Sequence, residues 1–327
     1  MKKIALEEAV AVPGDANIVP ENLTHPEFRD NLAQLVDVTG QRLRAMDSTD
    51  IEISVLSVVG PGIQGTQSGT ATQRAVEWND YLAKAVASHN DRFRVFAALP
   101  MQDPDAAVAE LRRCVQDLGF VGALINGYDD SLGSPPTYYD GPRYLDFWRA
   151  AAQLDVPVYL HPRSVPAQRP TTYHGYPELR GAAWGFHIET AEHVLRLILS
   201  GLFDKVPDLR LVLGHLGELL PWWCWRVDHR IAREGWREQP ETQSHRLHHT
   251  VTEYVQRNIY ATTSGFFHTP ALKHTIDTLG VEHVLYSVDY PMESCEEAAT
   301  WFDALDLSPE DHHKIAHDNA ASLLKIR

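Results

Sequence analysis

The chain has 327 residues, 44% of them hydrophobic and 9% aromatic, which is enough for one large α/β domain or two ordinary ones with a sizeable core and excludes a disordered chain. Against 29 basic residues stand 44 acidic ones, and the net charge of −15 argues against nucleic acid, which rewards basic stripes. No stretch approaches the roughly 20 apolar residues of a membrane span and Met1 runs into strand-like sequence without an apolar signal region, so no membrane partner and a cytoplasmic location are expected.

The first element is "KIALEEAV", residues 3–10, an apolar strand with adjacent carboxylates near its end. Residues two apart share a face of a strand, so Glu7 and Ala9 point one way and Glu8 the other. Further Val-, Ile- and Leu-rich runs predict strands near 52–59, 93–99, 121–126, 157–162, 209–215, 258–264 and 283–290. Between them lie segments with apolar residues three and four apart, such as 71–90, 105–119 and 188–204, which read as helices. Eight β/α units predict an α/β fold, a (β/α)8 TIM barrel.

Long Gly- and Pro-rich stretches follow particular strands, at 11–39, 60–70, 127–140 and 163–184, whereas most returns from helix to strand look short. The long βα loops would then cover the C-terminal face, where such barrels keep their active sites. No linker or repeat divides the sequence, so a single domain over 1–327 is expected, with 307–324 a terminal helix closing the bottom or side. Cys114, Cys224 and Cys295 lack C-x-x-C spacing and read as small core residues rather than a disulfide framework or thiolate zinc site.

Polar residues ending apolar strands enter the cavity at the barrel mouth. Here they are Glu7, His161 in "VPVYLHPR", His215 in "LRLVLGHLGE" and Asp289 in "HVLYSVDYP". One such residue alone reads as a core or cap side chain, but four at four strand ends are harder to dismiss. Two carboxylates and a neutral imidazole suit a divalent cation such as Zn2+ or Mn2+, with positions left for substrate. His215 and Glu218 form an H-x-x-E pair where strand should give way to helix, close enough for the acid to hold one ring proton; the competing reading is a Glu favoured at a helix start. His245, His248, His249, His312, His313 and His317 read as solvated, while His174 and His187 lie in or beside the 163–184 loop and fit a pocket or its rim equally. In "LLPWWCWRVDHR" one helix carries Trp222, Trp223, Trp225 and Arg226, a cluster that reads as core or subunit interface.

"ALEEAVAVP", "YLHPR", "LSGLFDKVPDLRLVLGHLGELLPWWCWRVDH" and "LYSVDYPMES" resemble the metal-dependent nonoxidative decarboxylases of the amidohydrolase superfamily, over nearly the whole chain. The resemblance, nearest to the branches acting on dihydroxybenzoates, implies Glu7, His161 and Asp289 as metal ligands, with Zn2+ or Mn2+ expected and Mg2+ a further candidate. It implies His215 as the catalytic histidine and Glu218 as the acid orienting it. Phe186 matches an aromatic contact to the substrate ring, and Arg226 an arginine that reaches a neighbouring subunit's site, so a homodimer or homotetramer is expected. Ala9 departs from the 2,6-dihydroxybenzoate branch, which has histidine there, and matches the 2,3-dihydroxybenzoate branch; it leaves more room at the metal for a chelating substrate.

The expected enzyme is thus a carboxy-lyase converting an ortho-hydroxybenzoate to the phenol and CO2, with a small aromatic carboxylate as partner. Asp289 would act as both ligand and proton donor to carbon. The alternatives are a lactonase-type hydrolase of the same superfamily, whose usual first-strand H-x-H pair is missing, and a non-catalytic aromatic-acid binder, which has no need of a proton donor beside a metal.

Overall fold

The computed structural model describes residues 1–13, 29–131, 135–166, 173–233 and 246–326. The apolar runs form β1 (Lys3–Val10), β2 (Ile51–Val58), β3 (Phe93–Ala98), β4 (Gly122–Asn126), β5 (Val158–His161), β6 (Leu211–Leu213), β7 (Ile259–Thr262) and β8 (Val284–Leu285). All pair in parallel and in sequence order, with helices between them, so the eight-stranded barrel expected from the sequence is the fold observed. β6 and β8 fall furthest short of expectation. β6 stops before His215, and β8 is a two-residue ladder rather than 283–290.

The short β8 has a physical reason. Beyond Leu285 the chain bonds to β1 mainly through side chains, across the seam where the barrel closes. Ser287 Oγ accepts from the Leu6 and Glu7 amides at 3.1 and 2.7 Å. The same hydroxyl and the Val288 amide donate to Glu8 Oε1, each at 3.1 Å. The Ala9 amide then donates to the Tyr290 carbonyl at 2.8 Å. Glu8, buried and facing away from the mouth, is therefore a seam residue. Burial raises its pKa to about 8 despite the opposing charge of buried Arg42, whose guanidinium lies over the Tyr290 ring.

β1 also carries an irregularity that sets which acid enters the barrel. Ala5 pairs with Ser54 but Glu8 pairs with Leu56, so β1 has one residue more than β2 over this stretch. Such a bulge shifts the side-chain alternation. Ile4 and Leu6 pack in the lower interior with Phe96 and Tyr159, and the extra residue lets Glu7 rather than Glu8 follow them inward.

At the bottom the expected 307–324 helix is three pieces: Pro309–His313, a π-helical turn Lys314–Asp318, and Asn319–Leu324. Ala320, Leu323 and Leu324 from the last piece pack against Ile4, Leu6 and the rest of the lower interior, plugging the barrel. At the top, β4 ends at Asn126 with the next helical turn at Pro142, and β5 ends at His161 with the next at Pro177. The helix Leu145–Leu154, by contrast, reaches β5 through residues 155–157. The connections expected at 127–140 and 163–184 are long, whereas 60–70 holds the turn Gly62–Gly65 and the start of the helix Ser68–Val86, and 11–39 holds the helix Arg29–Val36; residues 14–28, 132–134 and 167–172, and His245, lie outside the described residues. Among the described residues no helix is long and apolar enough to cross a membrane.

Candidate active site

The inward face of β5 carries Tyr159 and, two residues on, His161. Both turn to Glu7. His161 Nε2 lies 3.2 Å from Glu7 Oε1, and Tyr159 Oη and Ser264 Oγ donate short hydrogen bonds to Glu7 Oε2. Gly214 is needed here, because a Cβ at that position would stand 2.7 Å from Glu7 Oε2. Asp289, at positive φ beyond β8, completes the group: donor atoms of Glu7, His161 and Asp289 all lie within 4.8 Å of one another.

These three residues fit a divalent cation such as Mn2+ or Zn2+. Glu7 Oε1 is buried without a hydrogen-bond partner, and two carboxylates with one imidazole are hard-to-borderline donors that leave coordination positions for other ligands. Burial alone would raise the Glu7 pKa, but His215 and then His161 outweigh it and hold the carboxyl at about 2. Asp289 goes the other way: burial raises it and the charge of Glu7 adds to that, against a lowering hydrogen bond from His215.

His215 and Glu218 do meet, with Nδ1 2.7 Å from Oε1, but not on a helix. His215, Leu216, Gly217, Glu218 and Leu219 all have positive φ, a left-handed turn between β6 and the helix Leu220–Ile231. The turn is tied to its surroundings by the Leu216 amide to the Thr262 carbonyl at 2.8 Å and by Thr275 Oγ1 to the Leu216 carbonyl at 3.1 Å. Left-handed geometry costs an L-residue about 1–2 kcal/mol. The reading of Glu218 as a residue favoured at a helix start is thereby corrected: it precedes the helix, fully buried, with its carboxylate on two histidines.

The second histidine is His187, whose Nδ1 lies 2.5 Å from Glu218 Oε2. The sequence alone places it at pocket or rim; the structure brings it into the site, with its ring 5.4 Å from that of His215 at 80°. Its partner lies 31 residues away, so no local spacing marks the contact. Burial alone would raise the Glu218 pKa, but His215 and His187 together hold it low. Burial works against the His215 imidazolium, yet Glu218, Glu7 and the Asp289 hydrogen bond raise its pKa well above the usual value. On its far side, His215 Nε2 faces Asp289 Oδ2 at 3.6 Å.

Phe186 precedes His187 in the first turn of the helix Gly185–Leu199 and is half-buried. Arg226 is exposed on the helix Leu220–Ile231, away from its own chain's core. The tryptophans beside it are not core either: Trp222, Trp223 and Trp225 are 58%, 54% and 70% exposed. His174 is exposed in the described part of its loop. All three cysteines are free and buried.

With this geometry established, the relatives can be placed. The amidohydrolase family pattern matches residues 31–326. The γ-resorcylate decarboxylase of Rhodococcus jostii (strain RHA1) is 46% identical, over 99% of this chain and 98% of that protein. A crystal structure of 2,6-dihydroxybenzoate decarboxylase complexed with 2,6-dihydroxybenzoate superposes with a TM-score of 0.92 at 42% identity, covering 99% of each chain. The dihydroxybenzoic acid decarboxylase of Polaromonas sp. JS666, with bound manganese and the inhibitor 2-nitroresorcinol, gives a TM-score of 0.90 at 42% identity, over 99% of this chain and 97% of that one.

Proposed function

The chain belongs to the amidohydrolase family, and from that premise we propose that it is a nonoxidative carboxy-lyase acting on an ortho-hydroxybenzoate of the dihydroxybenzoate type. The reaction releases CO2 and the corresponding phenol, reversibly. The observation that carries this reading is the convergence of Glu7, His161 and Asp289 opposite an imidazole held by a buried carboxylate, in a chain alike over its full length to dihydroxybenzoate decarboxylases. The hydrolase alternative lacks the first-strand histidine pair, and the relatives described above are decarboxylases.

In this proposal Glu7, His161 and Asp289 hold a divalent cation, Mn2+ or Zn2+. When bound, the cation supplies Lewis-acid charge stabilisation for the substrate's carboxylate and adjacent phenolic oxygen, orienting both. Direct loss of CO2 would leave an in-plane aryl anion, so the carbon bearing the carboxylate must first gain a proton. Asp289 delivers it, and the C–C electron pair returns to the ring as CO2 departs. Glu218 is acceptor-only when ionised, so the His215 Nδ1–H must donate to it; this leaves Nε2 facing inward to handle the hydroxyl proton. Phe186 packs against the ring.

Arg226 would act on a neighbouring copy, in a homodimer or homotetramer buried through the exposed tryptophan face. One domain over 1–327 and a cytoplasmic location complete the proposal, the latter supported by three unpaired thiols. A role in breaking down aromatic acids follows from the chemistry.

The test is a panel of hydroxybenzoates and lactones with metal-loaded protein, following CO2 and products. In D2O an ortho-hydroxybenzoate should give product with one deuterium at the carbon that bore the carboxylate. The para isomer, unable to present adjacent oxygens, should be inert. Ready turnover of the para isomer, or lactone hydrolysis without CO2 from any hydroxybenzoate, overturns the reading.

A further inference from the structure

Glu218 is fully buried and uses both carboxylate oxygens on imidazoles: Oε1 on His215 Nδ1 at 2.7 Å and Oε2 on His187 Nδ1 at 2.5 Å. We propose that His187 is a positioning residue for the reaction, fixing the Glu218 carboxylate so that its other oxygen sets the direction of the His215 ring. The proposal rests on the decarboxylase reading and adds to it a residue that acts through two others.

The turn that carries Glu218 and His215 cannot hold itself. Its five residues are all left-handed, a conformation that ordinary residues leave when nothing opposes them. A carboxylate on such a turn, with one oxygen aimed at a ring and the other at nothing, would rotate to satisfy the second oxygen. A buried, half-satisfied carboxylate is costly. His187 supplies the missing donor from a separate element. Since the ionised carboxylate only accepts, His187 must present an Nδ1–H, as His215 does. The two rings therefore grip one carboxylate from two sides, and the His215 ring is left with its Nε2 toward Asp289 at 3.6 Å.

His187 is itself well anchored. The helix Gly185–Leu199 begins hard against the preceding turn Pro177–Arg180, and a Cβ on Gly185 would lie 2.5 Å from the Arg180 carbonyl oxygen. The Phe186 amide donates to the Gly181 carbonyl at 3.2 Å, and Thr190 Oγ1 donates to the Phe186 carbonyl at 2.9 Å. The helix start that presents Phe186 to the ring thus also delivers His187 to Glu218.

The experiment compares His187→Leu with His187→Asn, whose side-chain amide can donate from near the Nδ1 position. Removing the outer partner of a metal-site histidine costs about ten- to a hundredfold, and the loss here should be of that order. We expect His187→Leu to lose that much in kcat with KM and metal content unchanged, and His187→Asn to restore most of it at equal Tm. In a Glu218→Gln background the further change to Leu should have almost no effect, because the route runs through Glu218. A fully additive loss, or Leu and Asn variants that both match the wild type, would overturn the proposal. A readout free of turnover is the hydrogen-bonded Nδ1–H proton of His215 in the NMR spectrum of Zn2+-loaded protein, the diamagnetic form. It should shift and exchange faster in His187→Leu, and an unmoved resonance sinks the idea. No CO2 from the wild type itself would instead strike at the decarboxylase reading, with the NMR comparison still deciding the role of His187.

Discussion

The two ends of the barrel are built from the same strands on opposite terms. At the bottom, Ile4, Leu6, Phe96 and Leu285 meet the plug of Ala320, Leu323 and Leu324 in an apolar cluster, and the buried Lys3 is met by the Thr49 carbonyl and Asp303. Left-handed residues there are single and stand at turns, as with Asp50, Asp155 and Lys325. At the top, the buried Glu7 and the half-buried His161 and Asp289 converge with one carboxylate oxygen left over, and five successive residues are left-handed, two of them leucines. Tyr159 marks the boundary: its ring packs on Phe96 below and its hydroxyl bonds to Glu7 above. Stability is collected below and spent above, where side chains must face one another before any ligand arrives.

If that division is real, changes at the top should remove activity without loosening the fold. The largest effect is expected for His161→Ala and for the double change Glu7→Ala, His161→Ala. Both should lose the divalent metal, measured by elemental analysis, and with it all detectable CO2 release, while the double variant's Tm should fall no further than chelation lowers that of the wild type, since a bound cation stabilises the fold that holds it. Full metal occupancy in the double variant would break the ligand assignment. Chelator treatment of the wild type should reproduce the loss, and added Mn2+ should reverse it.

His215→Asn comes next. It removes no proposed ligand, so metal should stay while kcat falls at least about a hundredfold, the lower range for general acid-base catalysis. An unchanged rate would make the His215–Glu218 pair a structural device. The mirror experiment is Leu323→Ala in the plug. It should cost about 2–5 kcal/mol of stability by denaturant unfolding. Its metal content and kcat should match the wild type below the transition.

How far this division could be read from the sequence differs along the chain. Strand positions were legible because parallel strands buried on both faces are near-continuous apolar runs, and β1 was expected at the residues where it is found. Glu7, His161 and Asp289 were legible as polar ends of such runs. The left-handed turn was not: "HLGEL" contains one glycine, and the Thr262 and Thr275 contacts that hold the rest come from distant elements. Nor was the bulge in β1, since an extra residue in a strand has no composition of its own. Tyr159 and Ser264 could have been found: Tyr159 lies two before His161 on the same face, and the run Thr262, Thr263, Ser264 places hydroxyls at the end of β7. The π-helical turn at 314–318 has no physical account in its residues alone.

The smallest expected effect concerns a part of the upper wall that does no chemistry. His193 is buried in the helix Gly185–Leu199, with Nε2 accepting from the Tyr139 amide at 3.2 Å and Tyr138 edge-on at 5.0 Å. Burial first, and the nearby Arg196 charge second, lower its pKa to about 3. The folded chain therefore keeps it neutral while the unfolded chain takes up a proton near the ordinary value of about 6.5. The stability this group contributes is complete above that value and is lost as pH falls from there toward 3. At pH 5 the loss is about 2 kcal/mol. His193→Gln, which cannot titrate, should be less stable at neutral pH yet show a flatter fall in unfolding free energy between pH 7 and 5. Hydrogen exchange should find residues 135–141 opening before Ala320–Leu324 at pH 5 in the wild type. Parallel curves for the two proteins would mean that His193 is charged in the fold. Simultaneous opening of both segments would show that the upper wall and the plug form one cooperative unit.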